Sequence, residues 1–259
     1  MNLFNHQSGK YISIDTASIY YEVAGTPGKP VLLILHGSLG SLEDLNPVLT
    51  KLAERYRLVG IDSRGHGKSS MGSSRLTYER LQQDAELILH HLHIDKLSIL
   101  GFNDGGTVAY RLAAYSKLKV EKVVTIGARW HYKNADYLRV MLKGTFDHSW
   151  KEKFPAVYNS YYKFNPTPDF DMLTQALVKM WLDPGSSGYP SFNLQRYTSP
   201  LLVIRGDNDH LLSLTAVAEL CTLLPTAAFL NVPFAGNDAH NTQKEMIMLA
   251  LEGFFTKVA

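Results

Sequence analysis

Short unbroken runs of apolar residues alternate along this chain with longer stretches in which apolar positions recur every third or fourth residue. Val31–Leu35 (VLLIL) has no polar position, as a strand covered on both faces requires. Arg57–Ile61, Lys96–Leu100, Lys122–Ile126 and Leu201–Ile204 repeat the pattern, and Ala227–Val232 closes the series. Ahead of them, Tyr11–Asp15 and Ser18–Ala24 read as an opening antiparallel pair. Between strands the period changes. Leu81, Ala85, Ile88 and Leu92 share one helix face, and Ile247, Ala250, Leu251 and Phe254 mark the inner stripe of a C-terminal helix. Ser41 followed by Asp44 predicts another helix start, with an oxygen cap and an acid in the first turn. The alternation predicts an α/β fold with a mostly parallel eight-stranded sheet flanked by helices.

The rhythm lapses between residues 129 and 198. This stretch has no convincing strand, several helical segments and the punctuation NPTPD and DPGSSGYP. All three tryptophans, Trp130, Trp150 and Trp181, lie in it. A helical cap inserted into a core made of residues 1–128 and 199–259 would look like this, the whole forming one structural domain. Most of its aromatics are expected to pack the cap itself. Trp130 and His131, just past the sixth strand, are expected to overlook a pocket, because α/β proteins build pockets at strand ends.

Composition narrows the class. A chain of 259 residues, 45% apolar, buries a core that needs no staple, and its one cysteine, Cys221, excludes an internal disulfide. Cys221 lies in an apolar helical stretch and reads as a packing residue. The net charge of +2 with scattered basic residues argues against nucleic acid as a partner. MNLFNHQSGK has neither the charged start nor the apolar run of a signal peptide, and no run approaches the roughly 18 residues that span a bilayer. The expectation is a soluble, cytoplasmic protein. His90, His91 and His93 end an amphipathic helix without a carboxylate or cysteine at ligand spacing, so no metal is expected there. DSRGHGKS lacks phosphate-loop spacing, and no cofactor is implied.

Four motifs fall in register. HGSLG (36–40) follows the third strand, DSRGHGKS (62–69) the fourth, GFNDGG (101–106) the fifth, and GDND (206–209) the seventh. Each alone is weak; in this order, with this spacing, they are specific. The chain resembles the capped α/β hydrolases, the branch that includes small esterases, epoxide hydrolases, dehalogenases and proline iminopeptidases. The resemblance implies a hydrolase of small esters or related substrates, with a small organic molecule bound between core and cap. It also assigns positions. Asn103 stands at the nucleophile position of the G-x-S-x-G elbow, Asp209 at the acid, and Asn237, within PFAGNDAH, at the histidine. The backbone amides of Ser38 and Asp104 correspond to the oxyanion hole. His36 and His66 belong to loop signatures that brace turns, with His36 also near the pocket.

Two members of the triad are thus amides. A carboxamide has no hydroxyl or thiol to ionise, so no acyl- or alkyl-enzyme is expected at position 103. Asparagine does suit the elbow, since it tolerates positive φ better than almost any other non-glycine residue. Asn237 is positioned to donate to Asp209 and accept from Asn103, satisfying a polar site with no group that titrates near neutrality. Sliding the register three residues brings His240 to the base position but supplies no nucleophile. In a serine protease, such losses cost roughly a factor of 10⁶ in turnover. Asp104 is the nearest carboxylate, at a position that usually points away from the pocket. Three alternatives stay open at this point. One is a non-covalent, lyase-like or cofactor-free enzyme using the hole and His240 or His131. The second is a ligand-binding or receptor protein. The third is an engineered, silenced hydrolase.

Overall fold

The computed structural model describes residues 3–135 and 150–256. Its eight strands are β1 (Lys10–Ile14), β2 (Ala17–Gly25), β3 (Val31–Leu35), β4 (Arg57–Ile61), β5 (Lys96–Phe102), β6 (Lys119–Ile126), β7 (Leu201–Gly206) and β8 (Ala228–Val232). They form one sheet in the order β1-β2-β4-β3-β5-β6-β7-β8. β1, β2 and β4 pair antiparallel, and every other neighbour is parallel.

The unbroken apolar runs have a simple cause. Successive side chains of a strand point to opposite faces, and both faces here are covered. Leu33 and Leu35 pack with the helices Tyr78–His91, Asp104–Tyr115 and Leu214–Leu223. Leu32 and Ile34 pack on the other side with Asn46–Leu49, Leu52–Arg55 and Lys244–Thr256. Each fully buried Leu or Ile contributes about 1.5–3 kcal/mol. Among the described residues, no helix is long and apolar enough to cross a membrane.

The chain leaves β3 toward β4 on one side and returns to β5 on the other. The loops after β3 and β5 therefore meet at a topological switch point, where open α/β sheets place their ligands. Among the described residues, the regular elements between β6 and β7 are all helices, with Pro155–Phe164 and Phe170–Trp181 the longest. The side chain of Trp150 lies outside the described residues.

One expected helix start is corrected. Ser41 and Asp44 close a turn rather than begin a long helix. The Asp44 amide donates to the Ser41 carbonyl at 3.0 Å, and Asp44 Oδ1 accepts from the Ser41 amide at 3.1 Å. The following helix begins at Asn46 with Pro47 in its first turn and stops after one turn. Cys221 is half-buried in Leu214–Leu223, and burial pushes its thiol above the ordinary range.

Candidate active site at the strand-to-helix elbow

β5 ends and the helix Asp104–Tyr115 begins within a single residue, Asn103, at φ 50° and ψ −115°. So abrupt a turn brings the helix start against the sheet. A Cβ on Gly105 would stand 2.3 Å from the Leu35 carbonyl oxygen, so only glycine fits there. The Gly105 amide donates to the His36 carbonyl at 3.0 Å, which ties the elbow to the loop after β3.

The Asn103 carboxamide heads a line of polar side chains from three strand ends. Its Nδ2 donates to Asn237 Oδ1 at 3.0 Å, and Asn237 Nδ2 donates to Asp209 Oδ2 at 2.9 Å and to the Gly127 carbonyl at 3.0 Å. Asp209 Oδ1 accepts from the amides of Leu211 and Leu212 at 2.7 and 3.0 Å. Burial raises the Asp209 carboxyl above its ordinary value, against the lowering effect of these hydrogen bonds.

The other end of the carboxamide is equally occupied. Asn103 Oδ1 accepts from the Asp104 amide at 2.8 Å and from Ser38 Oγ at 3.1 Å. One of the two expected oxyanion donors, the Asp104 N–H, is therefore engaged by the elbow residue itself. The side chain reaches back to its own helix start, as an N-cap does.

Asp104 is buried, and its carboxylate is held by side chains from distant segments. Ser38 Oγ donates to Oδ2, Trp181 Nε1 donates to Oδ2 at 2.8 Å, and Tyr78 donates to Oδ1 at 2.7 Å. The Arg129 guanidinium lies 3.6 Å from Oδ1. Ser38 and Asp104 stand out in the sequence, but nothing there links the Asp104 carboxylate to Tyr78, Trp181 or Arg129. These partners come from distant segments that no local pattern connects.

The elbow, the switch point and the alternating order have their counterpart among known proteins. A model described as the alpha/beta hydrolase fold matches residues 30–178, more than half of the chain. The chain belongs to the α/β hydrolase family. It is 29% identical over 214 residues to the serine hydrolase BPHL of Mus musculus, covering 77% of this chain and 70% of that protein. A hydrolase from Pseudomonas aeruginosa PA01 superposes with a TM-score of 0.77 at 19% identity, over 98% of this chain and 100% of that one. The enol-lactonase from Burkholderia xenovorans LB400 gives 0.74 at 19% identity, over 96% and 100% of the two chains. At those identities the structural likeness speaks for the fold alone.

Within this α/β hydrolase the expected histidines sit apart from the polar line. His240 is fully buried, its ring edge-on to Phe102, and neither ring nitrogen has a hydrogen-bond partner among the described residues. Burial pushes it down to about 4, so it stays neutral behind the sheet end. His36 spans two loops, its Nδ1 on the Gly37 carbonyl at 2.6 Å and its Nε2 accepting from the Ser63 amide at 2.9 Å. With both nitrogens taken, its ring braces backbone rather than facing a ligand. Trp130 is buried and donates its indole N–H to the Ala216 carbonyl at 2.8 Å. His131 rests against Trp130 and Phe192, and its Nδ1 accepts from the Lys133 amide at 3.0 Å. Burial, then the Lys133 charge, lowers its pKa.

A cavity of about 330 Å³ lies between the loop after β3 and the helix Pro155–Phe164. Ser38, Ser41 and Asp44 line one side, and Val157, Ser160 and Tyr161 the other, whereas Trp130 and His131 line a separate cavity of about 630 Å³ with Phe192 and Thr215, and His36 lines neither. Asn165, just past that helix, donates Nδ2 to the carbonyls of Gly65, Gly67 and Ser69 at 3.2, 3.3 and 3.0 Å. In the same loop Arg64 pairs with Asp84 through two bonds of 2.9 and 2.8 Å.

His6 completes the cavity's support. Its Nδ1 lies 2.5 Å from Glu43 and its Nε2 2.8 Å from Asp62, so both nitrogens must donate and the ring is an imidazolium. The ring stacks on Phe164 at 4.5 Å. Burial alone would lower its pKa, but the hydrogen bonds and charges of Asp62 and then Glu43 outweigh that and hold it above the ordinary 6.5. A raised folded-state value means stabilisation complete below pH 6.5 and lost as pH climbs through the folded value. Urea unfolding of the parent should weaken over that window, whereas His6→Gln should show no matching slope. Parallel pH curves for the two proteins would refute the ion pair.

Proposed function

We propose that this α/β hydrolase binds a small organic molecule between its core (1–128 and 199–259) and a helical cap (129–198), without forming a covalent intermediate at residue 103. The observation that carries this reading is the placement of the Asn103 carboxamide. It offers no nucleophilic oxygen or sulfur, and its own oxygen occupies the Asp104 N–H that an acyl oxygen would need. Binding rather than proton-transfer catalysis is favoured, because His36, His131 and His240 make no hydrogen bond to Asn103, Asn237 or Asp209. The cavity beside Ser38 falls at the small end of ligand pockets, which run to about 300–1,000 Å³.

The test is intact-protein and peptide mass spectrometry after exposure to activated esters, epoxides, haloacids and lactones. Thermal shift against the same panel follows, since a ligand that binds only the folded state raises the melting temperature. The expected result is a shift with at least one class and no adduct on residue 103. A substrate fragment bonded to Asn103 would overturn the reading.

A further inference from the structure

The main-chain torsions at Asn103 have a consequence independent of any ligand or activity. In an L-residue, Cβ stands about 120° from the amide nitrogen around the Cα–C axis, on the side where ψ is negative. At ψ −115° the Asp104 nitrogen therefore nearly eclipses the Asn103 Cα–Cβ bond. Nitrogen, carbonyl carbon, Cα and Cβ then share a plane, as in a five-membered cyclic imide. Residues rarely hold this conformation, and positive φ makes it rarer still. Here the elbow enforces it, through the Asn103 amide on the Ile126 carbonyl at 2.9 Å and the Gly105 amide on the His36 carbonyl at 3.0 Å.

The carboxamide is folded toward the same nitrogen. Oδ1 lies 2.8 Å from Asp104 N, which holds Cγ beside it, and the Ser38 hydroxyl at 3.1 Å draws electron density from the carbonyl. We propose that Asn103 is a site of spontaneous, backbone-assisted deamidation. Asp104 N gives its proton to solvent hydroxide and forms a bond to Asn103 Cγ, while the carbonyl π pair moves onto Oδ1. That pair returns as the Cγ–Nδ2 bond breaks, and Nδ2 takes a proton from water and leaves as ammonia. Water then opens the imide at either carbonyl, giving aspartate or isoaspartate at 103. Nothing is oxidised or reduced, and water is the sole co-reactant. The aspartyl product keeps the chain length and puts a carboxylate in the elbow. The isoaspartyl product lengthens the main chain at the helix start.

The experiment reads mass alone, so it can fail without touching the binding reading. The tryptic peptide Leu97–Arg111 contains Asn103 as its only amide side chain, so ammonia loss or a carboxamide-to-carboxylate mass change there is assigned to it, whereas Asp104–Gly105 can lose only water. The full chain is incubated at mildly alkaline pH, folded and in urea, with and without hydroxylamine. Conversion should run at least about tenfold faster in the folded chain, because the preset torsion supplies the near-attack geometry. It should also show an ammonia-loss species, a hydroxylamine-trapped adduct and both isomeric products. Asn103→Gln, which would need a larger ring, should stay unconverted. A folded rate equal to or below the unfolded rate would overturn the proposal. So would aspartate formed alone, without an ammonia-loss species, since that is direct hydrolysis.

Discussion

Replacing Asn103 by serine and Asn237 by histidine in the same chain is expected to yield an ester hydrolase at least about 10³-fold faster than the parent. The spacing for that chemistry is already present. Asn103 and Asn237 are 3.0 Å apart through their side chains, and Asn237 is 2.9 Å from an Asp209 carboxylate held by two backbone amides. A histidine at 237 would find its orienting acid, and a serine at 103 its base. The exchange at 103 also removes the carboxamide oxygen from the Asp104 N–H and releases that donor for an acyl oxygen. Each single variant should stay near background, because triad members act as a unit and their effects do not add. Initial rates with a chromogenic acetate ester, compared across the parent, both singles and the double, decide the matter. A folded but silent double variant would mean that the site has been remodelled beyond these two positions.

Asp104→Ala should be the most damaging single truncation in the site, costing about 3–5 kcal/mol of unfolding free energy. Asp104 is 4% exposed, and its carboxylate collects the Tyr78 hydroxyl, the Trp181 indole and the Ser38 hydroxyl, with Arg129 close by. Removing it strands several buried donors at once. Arg129 suffers most. It is 4% exposed, its Nη1 has no partner among the described residues, and neighbouring tyrosines and Asp104 hold its guanidinium firmly protonated. Asp104→Asn keeps one acceptor and should fall between parent and alanine in urea unfolding. A loss below about 1 kcal/mol for Asp104→Ala would show the cluster to be no more than a surface-grade contact.

Much of the architecture was readable from residue order, for a physical reason. Strands covered on both faces must be apolar throughout, so Val31–Leu35 and Arg57–Ile61 announced their own boundaries. The elbow was readable because so tight a turn admits few residues: glycine at 105 and a positive-φ-tolerant side chain at 103. The Asn103–Asn237–Asp209 line followed from motif positions alone. What order did not reveal was orientation. The Asp104 carboxylate faces partners 26 and 77 residues away, and its direction depends on how the Phe170–Trp181 helix docks. Ser41 and Asp44 have the residue types of a helix cap, yet Pro47 and a one-turn helix turned them into a closed loop. His240 looked available as a base, but Phe102 and the sheet end had already enclosed it.

One amide group, that of Asn165, grips three main-chain oxygens of the loop that follows β4. A clasp of this kind anchors the near end of its helix while leaving the far end untethered by it. The wall that Ser160, Tyr161 and Phe164 give the cavity above Ser38 is thereby tied to the sheet through the same loop that carries Asp62 and Arg64.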